Sequence, residues 1–270
     1  MLLYNNKEVK IGHFPDGTIL LKEKPDEQYH HDIMWFYENN EELVALIFLV
    51  KHLRSHGVES IDLILPYVPN ARMDRVKADD DVFTLKYFAE VVNSLHFNAV
   101  YVMDTHSSVT DALIDNVRPM PYIQYINAAI DDIKSKMDAD EELLLFYPDQ
   151  GSVKRYSDDI GREYAFGIKN RDWATGKILG LDVAGSVDKI AGRNILIVDD
   201  ICSRGGTFYF AAKKLKALGA KNIYLYVSHC ENTIFDGELI SGDLIDHIYT
   251  TDSILTMKDD DKITVYNILF

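Results

Sequence analysis

Asp199 and Asp200 stand at the end of an apolar run, Ile195-Leu196-Ile197-Val198, and a short loop of Ser203-Arg204-Gly205-Gly206-Thr207 follows them. Glycines before a helix let backbone N–H groups approach an anion, and the helix start adds a positive partial charge. Two carboxylates alone repel that anion. They make sense beside it if they hold ribose hydroxyls or stand behind Mg²⁺, a hard cation that prefers oxygen ligands. Thr207 can cap the helix and also donate to a phosphate oxygen. The plainer alternative is a strand-end turn with a capping aspartate.

Five other stretches carry chemistry-bearing residues just after, or between, apolar runs. In "LPYVPNARMDR", Leu65 to Arg75, the permanently charged Arg72 can fork onto a triphosphate or stack on a base. "VMDTH", Val102 to His106, puts Asp104 and His106 after a strand, where a hydrogen-bonded loop histidine is the simpler reading. In "YPDQGS", Tyr147 to Ser152, Asp149 fits a helix N-cap, a role compatible with ligand binding. "GIKNRD", Gly167 to Asp172, offers Lys169 and Arg171, cations that solvent alone would satisfy. "GHFPDGT", Gly12 to Thr18, is a strong β-turn signal that presents Phe14 and Asp16.

Alternating elements must position these residues. Helical spacing over Glu42 to His56 ends at Gly57, and Ile61 to Leu65 then reads as a buried strand. A helix over Val82 to Leu95 and a strand over Ala99 to Met103 follow. Next come a helix from about Tyr122 to Met137, a strand Leu143 to Tyr147 and a helix from about Gly151 to Tyr164. Strand Ile195 to Val198, helix Thr207 to Leu218 and strand Ile223 to Val227 complete the pattern. Such alternation predicts parallel sheet covered on both faces, with ligands gathered at the carboxyl ends of the strands.

The chain of 270 residues can bury one large or two medium cores. Its formal charge of -15 argues against nucleic acid, which needs a broad basic surface. Two cysteines imply no disulfide framework and suit a cytoplasmic location. The first residues lack a signal-peptide layout, and no apolar run suits a membrane span.

The string from Asn194 to Phe208 resembles the loop shared by type I phosphoribosyltransferases and the synthetases of 5-phosphoribosyl 1-pyrophosphate (PRPP). That resemblance implies that Asp199 and Asp200 hold ribose hydroxyls while Ser203, Arg204, Gly205, Gly206 and Thr207 cradle a 5-phosphate. The other five stretches resemble, in the same order, motifs of PRPP synthetase (ribose-phosphate diphosphokinase). By that likeness Phe14, Asp16, Arg72, Asp74 and His106 bind ATP. Asp104, His106 and Asp149 lie beside Mg²⁺, and Lys169, Arg171 and His106 are catalytic, the two cations on a flexible loop. The family implies an α/β protein of two phosphoribosyltransferase-like domains with parallel sheets flanked by helices. The first would cover 1–124, completed by a strand returning from 249–270, and the second 125–248. It further implies ATP and a ribose 5-phosphate-type acceptor as substrates and a homo-oligomer as the working form, with no nucleic acid or membrane as partner.

The sequence departs from that family at Thr18, Met73, Gln150 and Asn170, and at both ends it looks shorter by terminal elements. Its acceptor loop has lost an acid and gained Arg204. More positive charge there would suit a 5-substituted ribose phosphate such as ADP-ribose. A phosphoribosyltransferase and a non-catalytic regulatory homologue are the remaining alternatives.

Overall fold

The computed structural model describes residues 1–27, 29–171, 178–257 and 260–268. The chain divides into two compact units, Met1–Pro121 and Tyr122–Phe270.

In the first unit the strands β1 (Leu2–Tyr4), β2 (Lys7–Glu8), β3 (Ile11–His13), β4 (Ile19–Leu21) and β5 (His30–Trp35) precede helix α1 (Glu41–Ser55). Then follow β6 (Ser60–Leu65), α2 (Thr84–Asn93), β7 (Val100–Met103), α3 (Ser108–Leu113) and β8 (Val117–Met120). The main sheet runs β2-β1-β5-β6-β7-β8, parallel from β5 to β8, and β3 and β4 form a separate hairpin. Helix α1 buries Ala45, Leu46, Leu49, Val50 and Leu53, the stripe that a 3.6-residue period lays on one face. Glu42 is also buried at its start, where it accepts from Trp35 Nε1 at 2.8 Å and from the Glu38 N–H at 2.9 Å.

The second unit begins with α4 (Ile123–Ser135), β9 (Leu143–Tyr147), α5 (Gln150–Ile160), β10 (Tyr164–Arg171) and β11 (Ile178–Gly185). It continues through β12 (Asn194–Cys202), α6 (Gly206–Ala217), β13 (Ile223–Cys230), α7 (Glu238–Ser241), β14 (His247–Thr251) and β15 (Ile263–Tyr266). Its sheet has the order β11-β10-β9-β12-β13-β14-β15, with only the β10–β11 pair antiparallel. Leu144, Phe146, Ile195, Ile197, Ile223 and Leu225 share one buried cluster with Phe208, Ala212 and Leu215 of α6.

Several elements differ from the sequence reading. Strand Ile263–Tyr266, expected to return to the first unit, instead pairs in parallel with β14, so hydrogen bonding places it in the second sheet. The helix expected to reach Tyr164 stops at Ile160, because Gly161 takes a left-handed conformation (φ 61°) and its N–H bonds back to Ser157. Strand β12 runs four residues beyond Val198, so Asp199 and Asp200 lie within a paired strand. Strand β5, between two recognised motifs, carries no signal strong enough to separate it from loop by pattern alone.

The central strands of the second sheet set the position of everything after their carboxyl ends. Leu225→Ala at the middle of β13, a fully buried position, is expected to lower stability by about 2–5 kcal/mol. Urea denaturation followed by circular dichroism checks this.

Candidate active site

In the first unit, the segment after β6 and the segment after β7 come together. Asp74 is buried and accepts two bonds from the neighbouring Arg75 guanidinium, at 2.7 and 2.9 Å. These bonds, with smaller contributions from Ser107 and His106, hold its carboxyl down to about 2. The stability from this pairing is present above the ordinary carboxylate range and is lost as pH falls toward 2. Arg72, two residues earlier, is exposed. Asp104 is 6% exposed and stands just past β7 with φ 41°, a left-handed conformation that an aspartate tolerates better than most residues. The chain turns sharply there and leaves His106 partly exposed.

Phe14 and Asp16 occupy the β3–β4 turn. The Gly17 N–H bonds to the Phe14 carbonyl, and the Asp16 carboxylate accepts from the Thr18 N–H and hydroxyl at 3.0 and 2.7 Å. These bonds lower the Asp16 pKa. The turn thus leaves the Phe14 ring half exposed. The β-turn and the presented aromatic are one structure.

In the second unit, α5 organises the acids. Asp149 is its N-cap and accepts from the N–H groups of Gly151 and Ser152 at 2.9 and 3.2 Å. Ser152 donates its hydroxyl to Asp199 at 2.8 Å, and Arg155 Nη1 pairs with Asp200 at 3.1 Å. Ser152 and Arg155 are three residues apart, hence neighbours on one helix face. Burial, then the charges of Asp200 and Asp149, push the Asp199 carboxyl well above its ordinary range. A ligand hydroxyl or a cation relieves that repulsion.

The loop between β12 and α6 is buttressed from behind. The Ser203 hydroxyl donates to Glu231 Oε2 at 2.7 Å and lies 3.2 Å from the Thr233 hydroxyl, while the Glu231 N–H bonds to the Cys202 carbonyl. Gly205, with φ 79°, is the residue before the helix, so the helix has a glycine cap rather than the Thr207 side-chain cap. A Cβ on Gly205 would overlap the buried Leu239, and one on Gly237 would overlap the Arg204 carbonyl oxygen. Gly206, Thr207 and the Arg204 side chain are exposed. The first turn of α6, which has no acidic residue, therefore opens outward. That is the arrangement an incoming phosphate needs.

Lys169 and Arg171, expected on a flexible loop, lie on β10, where Lys169 pairs with Leu181 and Arg171 with Ile178 across the hairpin. The register shifts between Asn170 and Arg171. Asp172, the last residue of that stretch, and residues 173–177 fall outside the described residues. The sequence motifs missed Ser152, Arg155, Glu231, Gly237 and Leu239. Only Gly237 and Ser152 carry even a faint signal, as a lone glycine just before α7 and a first-turn serine at the end of the Tyr147–Ser152 stretch.

Two measurements test this geometry. Gly237→Ala must push the Arg204 backbone out of place, so it is expected to cost about 1–3 kcal/mol of stability and to weaken acceptor binding at least severalfold. Calorimetric melting and acceptor titration read the two effects. For Asp199→Asn in the ligand-free protein the sign is opposite. A raised carboxyl pKa means that stability falls as pH rises through the Asp199 titration, so the asparagine variant should melt a few degrees higher at neutral pH. The gain should vanish below about pH 3, under the unfolded aspartate's pKa of about 3.9, where both states are protonated, and melts across that range check it.

No protein-family model matches the chain. A ribose-phosphate pyrophosphokinase of Thermococcus kodakarensis is 31% identical over 232 residues, covering 82% of this chain and 77% of its own. One from Thermosipho africanus is 26% identical over 270 residues, covering 97% and 83%. The crystal structure of phosphoribosylpyrophosphate synthetase from Mycobacterium smegmatis matches with a TM-score of 0.79 at 20% identity, over 96% of this chain and 86% of that one. With its motifs in that order and this extent of similarity, the chain belongs to the ribose-phosphate pyrophosphokinase family.

Proposed function

We propose that this protein transfers the diphosphoryl group of ATP to the C1 hydroxyl of ribose 5-phosphate, giving PRPP and AMP. The observation that carries the reading is the Asp199–Thr207 strand, loop and helix start. It couples two carboxylates suited to ribose hydroxyls with an open helix N-terminus suited to the 5-phosphate. The 31% identical relative bears the name of this activity. In the reaction the C1 oxygen bonds to the β-phosphorus of ATP and loses its proton. The bond from that phosphorus to the oxygen of the α-phosphate breaks, and AMP leaves.

Residues take roles that their placement suits. Phe14 and Asp16, on an exposed turn, bind the adenine, and Arg72 takes the triphosphate near the fixed Asp74. Asp199 and Asp200, held by Ser152 and Arg155, fix the ribose hydroxyls and so aim C1. Ser203, Arg204, Gly205, Gly206 and Thr207 bind the 5-phosphate. Lys169 and Arg171 supply positive charge to the nonbridging oxygens of the transferred group, and His106 acts beside the phosphates and their metal. Removing one such cation costs roughly 100-fold or more in rate. Phosphoryl transfer depends mainly on such positioning and neutralisation.

Asp104 and His106 in the first unit and, separately, Asp149 in the second are the residues read as suited to hold Mg²⁺. Carboxylates suit a hard dication, and around Asp199, whose carboxyl is raised by burial and then by the charges of Asp200 and Asp149, such a cation offsets an excess of negative charge. When bound, Mg²⁺ neutralises phosphate charge and fixes its geometry. Asp104, buried at the end of β7, and Asp149, fixed by its capping bonds, are both held in place before any ligand arrives.

Among the described residues no helix is long and apolar enough to cross a membrane. Cys202 and Cys230 are free thiols, which suits the cytoplasm. The working form is read as a homo-oligomer. Purified protein given ATP, Mg²⁺ and ribose 5-phosphate should release AMP and a sugar heavier by two phosphates, identified by mass spectrometry, with light scattering on the same sample giving its assembly state. Turnover of ADP-ribose in place of ribose 5-phosphate, or no AMP with either, overturns the assignment.

A further inference from the structure

The parallel register of β5 and β6 pairs His30 with Ser60 and Asp32 with Asp62. Residues 30, 32 and 62 therefore project from one face of the sheet. Like charges directly opposite on neighbouring strands repel. The Asp62 side chain is only 10% exposed, which makes its charge harder to screen.

His30 stands between the two carboxylates. Its Nε2 is 3.4 Å from Asp32 Oδ1 and 3.2 Å from Asp62 Oδ2. One ligand atom from each of the three residues lies within 4.8 Å of the others. Both distances exceed the ~2.7–2.9 Å of a good charge-assisted hydrogen bond. They match the edge of a tetrahedron around Zn²⁺, about 3.3 Å at Zn–N and Zn–O lengths of ~2.0–2.1 Å. An octahedral Mg²⁺ at ~2.0–2.1 Å needs edges of about 2.9 Å.

Contacts outside the cluster orient the donors. His30 Nδ1 is 2.7 Å from the Ser60 hydroxyl, which also takes a bond from Asn98 Nδ2. Imidazole donating from Nδ1 to that oxygen presents the bare lone pair of Nε2 to the cluster. Asp62 Oδ1 accepts from the Ala99 N–H at 3.1 Å, which turns Oδ2 toward His30. Supporting bonds of this kind fix the ring and carboxylate of a metal ligand. The half-exposed His30 and Asp32 leave a fourth position open to solvent.

We infer that His30, Asp32 and Asp62 bind a tetrahedral divalent transition cation, with Zn²⁺ as the probe, at the amino-terminal ends of β5 and β6. Arg72, Asp74 and Asp104 follow the carboxyl ends of β6 and β7, a strand length away, about 15–20 Å. The cation clamps the two strand starts and offsets the opposed carboxylates. The competing arrangement is a protonated His30 bridging both acids without metal.

The test uses full-length protein stripped by chelator and then dialysed against ZnCl₂, with bound metal counted per chain. Wild type is expected to hold one Zn²⁺ more than His30→Ala, Asp32→Asn or Asp62→Asn, while Asp104→Asn retains that extra ion. Co²⁺ in its place should give the intense visible absorption of a tetrahedral site, lost in Asp32→Asn. That position is half exposed, so the variant should keep wild-type circular dichroism and its Mg²⁺-supported AMP formation. Equal Zn²⁺ in wild type and all three variants, or only the weak absorption of six-coordinate Co²⁺, overturns the inference.

Discussion

Two adjacent buried-side carboxylates held by one helix are the constraint around which the second unit is arranged. Asp199 and Asp200 reach Ser152 and Arg155 of α5, whose own N-cap is Asp149. Three acids thus meet on one scaffold, and burial, then their mutual repulsion, raises the Asp199 carboxyl. Such an arrangement is costly for a protein without ligands. It persists because β9, β12 and β13 pair in fixed parallel register beneath it, with Ile195, Ile197, Leu225 and Phe146 fully buried. Hydrophobic burial in the strands supplies the free energy that the acidic end consumes.

The first unit solves a related problem differently. There the aspartate nearest the exposed arginines is neutralised by its own neighbour, since Arg75 binds Asp74 through two parallel bonds. This local pairing fixes the Asp74 carboxylate two residues from the exposed Arg72. One unit therefore gathers three acids that a helix start and one arginine only partly offset, and the other holds its acid in a bidentate pair.

The sequence made the alternation of strand and helix legible, because apolar runs such as Ile61–Leu65 and Leu143–Tyr147 stand between clear amphipathic helices. The strand, glycine loop and helix start around Asp199–Thr207 were legible too, since an apolar run, two acids, two glycines and a threonine mark that succession. What was hidden depends on distance along the chain. Glu231 meets Ser203 across 28 residues, and Gly237 meets the Arg204 backbone from a segment that no motif marks. The last strand was misassigned because periodicity identifies a strand but not its partner, and β14 offered an open edge. The length of β12 was underestimated because charge at Asp199 reads as the end of a buried run. Here helix α5 covers that charge, so pairing continues to Cys202.

The contact of Gly237 with the Arg204 carbonyl separates two properties that usually change together. The main chain at residue 204 is clamped from behind, while its side chain points into open solvent. Substitutions at 204 can therefore change the charge and shape presented to solvent without remaking the backbone beneath. On the proposed reading of this loop, a single codon retunes acceptor choice, and a designer seeking altered specificity has an address where the scaffold is indifferent to the outcome.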